Sequence, residues 1–150
     1  MSNQRSRFIL DQLPLRGVHV ALEQVWQHIV SQKNYPAPIA KALGELLAAG
    51  ALLAANLKFD GTFILQVQGT GVLKLLVAEA TSEQTCRGTA RYDDSVDIAE
   101  DASLQDLIGE QGQFVLTLQP SQGEMWQGIV GLQGDSIAQM LANYLAQSEQ

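Results

Sequence analysis

Most of the chemistry that a catalytic protein needs is scarce in this chain. Its single cysteine, Cys86, excludes an intrachain disulfide framework and a zinc site built from thiolates. His19 and His28 are the only imidazoles, and no HExxH pair is present. The Gly-x-Ser-x-Gly pattern of a nucleophile elbow is absent. No acid, base and nucleophile set can be assembled from these parts with support from spacing, which argues against an enzyme.

Positive charge runs out early. Arg91 is the last base. Residues 1–91 hold nine bases against six acids, a balance of +3, while residues 92–150 hold ten acids and no base, a balance of −10. Such an acidic half repels phosphates, so a nucleic-acid partner is not expected. Long apolar runs are missing too. Leu46–Ala55 is closed off by Glu45, Asn56 and Lys58, short of the roughly 20 residues that a bilayer asks for, so no membrane partner is expected. Only Phe8-Ile9-Leu10 separate the basic N-terminus from Asp11, too little for a secretory signal. A cytoplasmic setting is the simplest expectation. With no internal repeat and no low-complexity linker, residues 1–150 read as one domain.

What is present is a rather apolar globular chain, 46% hydrophobic and 17% charged. Phe8–Val20 looks extended, with a break at Pro14. Leu22, Val25, Trp26, Ile29 and Val30 follow helical spacing, and Pro36 and Pro38 end that helix. Pro38–Leu57 reads as a central buried helix, apolar all round, with Leu46 and Leu53 on its buried side. Phe63–Gln68, Leu73–Ala78 and Thr85–Tyr92 read as strands, the first two joined at Gly69-Thr70-Gly71. After the acidic loop Asp93–Asp101, Ser103 caps a short helix that ends near Gly109. Phe114–Leu118 and Met125–Leu132 form a hairpin around Pro120–Gly123. Ile137, Met140, Leu141, Tyr144 and Leu145 make the stripe of a last helix. The fold class is α+β: layered, hairpin-rich mixed sheets with a buried central helix and flanking helices.

The remaining motifs are weak. Arg87 beside Cys86 would lower the thiol's pKa if it faced the sulfur; a packed strand cysteine is the plainer reading. Gly69-x-Gly71 follows a strand, as a dinucleotide loop does, but Lys74 replaces the third glycine and a strand follows instead of a helix. Asp93–Asp97 lacks the glycine and closing glutamate of a calcium loop. The last helix stops at Ser148-Glu149-Gln150 with no cation for its terminal carbonyls and no glycine to close it. It reads as cut short, with a frayed last turn.

Short strings then suggest a family. Tyr35-Pro-Ala-Pro-Ile39, Glu45-Leu-Leu47, Leu57-Lys-Phe-Asp-Gly61 and Gln68-Gly-Thr-Gly71 stand in order along the chain. Arg87-Gly-Thr-Ala-Arg91, Gln127-Gly-Ile-Val-Gly-Leu132 and Gly134-Asp-Ser-Ile-Ala138 follow. Together, from about residue 5 to the end, they resemble the redox-regulated heat-shock chaperone of the thirty-three-kilodalton class. Val72 and Trp126 depart from the proline and tyrosine common there.

The resemblance implies a holdase that binds unfolded or partly folded proteins and prevents their aggregation. It also implies a C-terminal zinc module, with ligands in Cys-x-Cys and Cys-x-x-Cys pairs, that switches activity on oxidation. Those cysteines have no positions here, and Cys86 matches none of them. The resemblance therefore covers the N-terminal core domain alone; zinc and the regulatory disulfides are expected in a longer parent, with no cofactor in this chain. Met125 and Trp126 are the candidate client-binding residues, against a plainer reading as sheet core. The outward sheet faces and the last helix stripe are candidate exposed patches. The rival reading is a constitutive protein-interaction or dimerisation module, which leaves room for a homodimer.

Overall fold

Alanine and leucine dominate the segment after Pro36, and they form α2 (Ala37–Ala55). Pro38 lies in its first turn, where a missing N–H costs nothing. The structure, a computed structural model, describes residues 3–148. At 19 residues α2 is long and apolar enough to cross a bilayer, longer than the run Leu46–Ala55 suggested. One side of it is buried in protein instead: eight of its residues are buried, Ile39, Leu43 and Leu46 fully, and most of the others are half-buried. Leu53 differs from expectation. It is only partly buried, packed against the rim of the core.

Around α2 the chain lays down two sheets. β1 (Asn3–Ile9) pairs with β2 (Arg16–Leu22) as a hairpin, so the break at Pro14 is the connection between two strands. α1 (Glu23–Gln32) follows directly. The main sheet holds β3 (Gly61–Gln68), β4 (Leu73–Thr81), β5 (Cys86–Tyr92), β6 (Gln113–Pro120) and β7 (Trp126–Val130), in the order β5-β4-β3-β6-β7. Every pairing among the described residues is antiparallel. The class is α+β as expected, with sheets antiparallel throughout and not mixed in direction. α3 (Leu104–Ile108) and α4 (Ile137–Ser148) complete the set.

Alternation assigns the two faces of the main sheet. One cross-strand row reads Gly128, Leu116, Leu65, Ala78, Gly88. This face packs on α2, whose Gly50 lies against Leu65 and Ala80. The row is bulky in the middle and bare at both ends, and the bare ends admit neighbours. A Cβ on Gly88 would stand 3.0 Å from Leu47 Cδ2 and 3.2 Å from Leu43 Cδ1, both on α2. A Cβ on Gly128 would collide with the Tyr144 hydroxyl of α4.

Local hydrogen bonds fix the smaller helices. Ser103 Oγ accepts from the Asp106 amide at 3.1 Å, the expected cap. Ser136 Oγ accepts from the Gln139 amide at 3.1 Å and starts α4. Ile137, Met140 and Leu141 then dock α4 in the core, with Tyr144 half-buried and Leu145 exposed. Most of that stripe is therefore covered and is not an open patch. The expectation for Glu149-Gln150 lies outside the described residues.

Candidate functional site

Each chemistry-bearing residue lands in an ordinary place. His19 is exposed on β2 and His28 is exposed on α1. Cys86 opens β5, half-buried on the helix-side face, and burial pushes its thiol pKa up. Arg87 does not activate it. Alternation turns Arg87 to the opposite face, where its Nε donates to Glu79 Oε2 at 2.6 Å across the β4–β5 pair. The cation that the sequence set beside the thiol is committed to a carboxylate.

The Gly69–Gly71 turn is no phosphate cradle. The amides of Thr70 and Gly71 both donate to the Ile108 carbonyl, at 2.7 and 2.9 Å, so α3 occupies them. In the acidic loop, the Ser95 hydroxyl and amide donate to Asp93 Oδ1 at 2.6 and 3.1 Å, and these bonds lower the Asp93 pKa. This is a self-satisfied turn. Among the described residues no group of three or more His, Cys, Asp or Glu is placed to hold a metal.

Apolar surface is what the structure offers. Among the described residues the face of the main sheet opposite α2 carries no helix, since the sheet residues that join the helices in the core, such as Leu65, Val67, Ala78, Ala90 and Leu116, all lie on the α2 side by register. One row across this open face reads Ile129, Val115, Gln66, Val77, Thr89. Beside it run Gln127, Thr117, Ile64, Glu79 and Arg87. Aliphatic, threonine and glutamine side chains dominate, and charge appears mainly towards β4 and β5. Gln127 Nε2 donates to Thr117 Oγ1 at 3.1 Å, which ties the edge strand to its neighbour.

Met125 and Trp126 are both exposed, at 58% and 48%, so the reading as sheet core is overturned. They do not form one patch on one face by register. Trp126 pairs with Leu118 on the helix side, and its ring leans over Gly128 towards Tyr144. Ile129, 59% exposed, belongs to the open face.

A second apolar surface went unread in the sequence. Phe8, Ile9, Leu10, Leu13 and Leu15 are all exposed at the tip of the β1–β2 hairpin. Arg7 and Arg16 flank them, and the Arg7 guanidinium donates to the Ala55 carbonyl at the end of α2. The signal was available: five large apolar residues within eight positions, interrupted by Asp11 and Pro14. The expectation of an extended stretch broken at Pro14 says nothing of its exposure.

The family described as Hsp33 protein matches residues 3–150. The chain belongs to the Hsp33 family. A 33 kDa chaperonin of Neisseria meningitidis serogroup A is 67% identical over 146 residues, which cover 97% of this chain and 48% of that protein. A 33 kDa chaperonin of Chromobacterium violaceum is 49% identical over 146 residues, covering 96% of this chain and 49% of that protein. A crystal structure of the 33 kDa chaperonin from Thermotoga maritima superposes with a TM-score of 0.76 at 26% identity, over 90% of this chain and 47% of that one. The chain spans about half the length of the relatives it matches. Hsp33 relatives bear the name of a chaperone and not of an enzyme.

A zinc ion would find one cysteine here, Cys86. It is half-buried, and a metal binds the thiolate and not the thiol. No described carboxylate or imidazole cluster completes a set around it.

Proposed function

We propose that this chain is the client-binding core of a holdase: it holds unfolded or partly folded proteins on apolar surface and keeps them from aggregating. The observation that carries this reading is the exposure of eleven large hydrophobic side chains among the described residues, five of them together on the hairpin tip. Contiguous exposed apolar surface is costly unless it meets a partner. The flat open sheet face adds Ile64, Leu75, Val77 and Val115, half-covered by one another and by no helix. The work is done by hydrophobic burial, at roughly 25 cal/mol per Å² of apolar area removed from water. Such binding is non-directional and suits clients of many sequences. Met125 and Trp126 add exposed apolar surface at the β7 edge, Trp126 on the other side of the strand from Ile129.

Redox control, in this proposal, belongs to thiolates outside the chain. A zinc module held by cysteines would lose its metal on oxidation and with it the folding energy that the metal supplies. Within this chain peroxide should leave client binding unchanged. A reducing cytoplasm suits the free Cys86 thiol. The alternative, a dimerisation module, is favoured by one observation: the hairpin tip is compact and apolar enough to meet a second copy. Light scattering by a chemically denatured client separates the two. A holdase suppresses it in proportion to the amount of chain added; a dimerisation module leaves it unchanged while sedimenting as a dimer.

A further inference from the structure

β5 is an edge strand, and its hydrogen-bond parity shows which of its backbone groups are free. In an antiparallel pair, opposed residues alternate between exchanging both backbone bonds and exchanging none. Thr81 N–H donates to the Thr85 carbonyl at 2.9 Å, so Thr81 and Thr85 are a bonded pair. Counting along the register, Glu79 with Arg87 and Val77 with Thr89 are bonded, while Ala80 with Cys86, Ala78 with Gly88 and Leu76 with Ala90 are not. An independent bond agrees. The Ala90 amide points away from β4 and donates to the Tyr35 hydroxyl at 3.3 Å. Cys86 and Gly88, on the same parity, therefore turn N–H and C=O outward.

These groups open into a groove of about 730 Å³. β5 forms one side, and Val25, His28, Ile29 and Gln32 of α1 form the other, with Tyr35 at one end. Val25 supplies half-buried apolar wall, and Ile29, buried in the core, shows only its edge there. The edge carries no proline and no bulge over Cys86–Ala90, the devices that blunt a strand edge.

We propose that an extended segment of an unfolded client adds to β5 as a sixth strand, hydrogen-bonded to Cys86 and Gly88, with alternate apolar side chains against Val25 and Ile29. This rests on the holdase reading and names a binding mode for it. Backbone pairing reads no sequence, which fits a binder of many unfolded chains, and an unfolded chain offers extended segments with both edges free. A second copy is disfavoured as the occupant. Pairing two β5 edges would bring the α1 that walls each groove into the other, since α1 stands beside β5 in both copies. Lys33, whose Nζ lies over the Tyr35 ring, is the cation at that end of the groove, since Arg87 is held by Glu79, and it favours an acidic residue in the segment that binds there.

The test uses a short soluble peptide of alternating valine and glutamate, labelled for fluorescence anisotropy, and two N-methylated forms. One form is methylated on all valine amides, the other on all glutamate amides, so each blocks one edge of the extended peptide. The unmethylated peptide should slow amide exchange at Cys86 and Gly88 at least tenfold. One methylated form should bind at least tenfold more weakly while the other binds like the parent. Cys86→Pro removes an outward N–H and none of the β4 ladder bonds, and it should weaken the peptide at least tenfold. Equal binding of both methylated forms, unchanged exchange at Cys86 and Gly88, or no peptide binding at all would overturn the proposal. Protection of these amides that grows with chain concentration alone would overturn it in favour of a second copy. The holdase reading is judged separately: if any of these failures occurs while the chain still suppresses client light scattering, strand addition falls and client binding stands.

Discussion

Ile129 of β7 and Val115 of β6 are direct cross-strand partners on the face of the main sheet that no helix covers. Their row continues through Gln66 to Val77 and Thr89. The same register places Gly128, Leu116, Leu65, Ala78 and Gly88 one residue away on the packed face. One sheet thus presents a closed side that holds the fold and an open side that no described helix covers.

The closed side should be sensitive. Leu46 is fully buried in α2, whereas Leu53 is only partly buried. Leu46→Ala should cost about 2–5 kcal/mol, from lost transfer energy and the cavity left behind. Leu53→Ala should cost clearly less, since it exposes less new surface. Urea midpoints of the two variants measure this. Equal losses would contradict the burial difference.

Arg7 supplies the cation that α2 lacks in its own last turn, by donating to the Ala55 carbonyl. Arg7→Ala should destabilise the chain by about 0.3–1 kcal/mol, the usual worth of a cation at a helix C-terminus. The loss should shrink in high salt. A thermal melt of the variant that matches the parent at low salt would refute the capping role.

Burial raises the Cys86 pKa above that of the unfolded chain. At neutral pH the thiol is protonated in both states and its contribution to stability is intact. As pH rises past the unfolded value, the unfolded chain ionises first, and stability falls until the folded value is passed. The denaturant midpoint should therefore drop more between about pH 7 and pH 10 in the parent than in Cys86→Ala. Alkylation at neutral pH should be slow. Equal alkaline drops in the two proteins would show that the thiol is solvated.

Much of this arrangement was legible in the residues. The apolar, alanine-rich run of α2 has no polar stripe, so its burial could be read directly. Ser103 and Gly109 marked α3, and Pro120–Gly123 marked the β6–β7 turn. β1 was missed in part because Asn3, Gln4, Arg5, Ser6 and Arg7 show no apolar alternation. That strand exists because β2 pairs with it. The faces of the main sheet were half legible. Alternation separates Phe63, Leu65 and Val67 from Ile64 and Gln66, but both sets contain aliphatics. Only the packing of α2 through Gly50 and Gly88 decides which set is covered. Exposure of Met125 and Trp126 followed from their edge position, which depends on a strand order that no local pattern encodes.

The central claim is that exposed apolar surface in this chain binds unfolded clients. Light scattering by a denatured client tests it most directly, with the parent chain, with Ile129→Lys and Val77→Lys together, and with Ile9→Lys and Leu13→Lys together. All three should melt within a few degrees of one another, since exposed substitutions cost about 0.5 kcal/mol or less each and a lysine at the half-buried Val77 can lay its stem on the sheet and keep its charge in water. The parent should suppress scattering with or without peroxide, and at least one charged pair should lose most of that suppression while remaining folded. A folded parent chain that leaves client scattering unchanged, or two folded charged variants that both suppress it fully, would contradict the account.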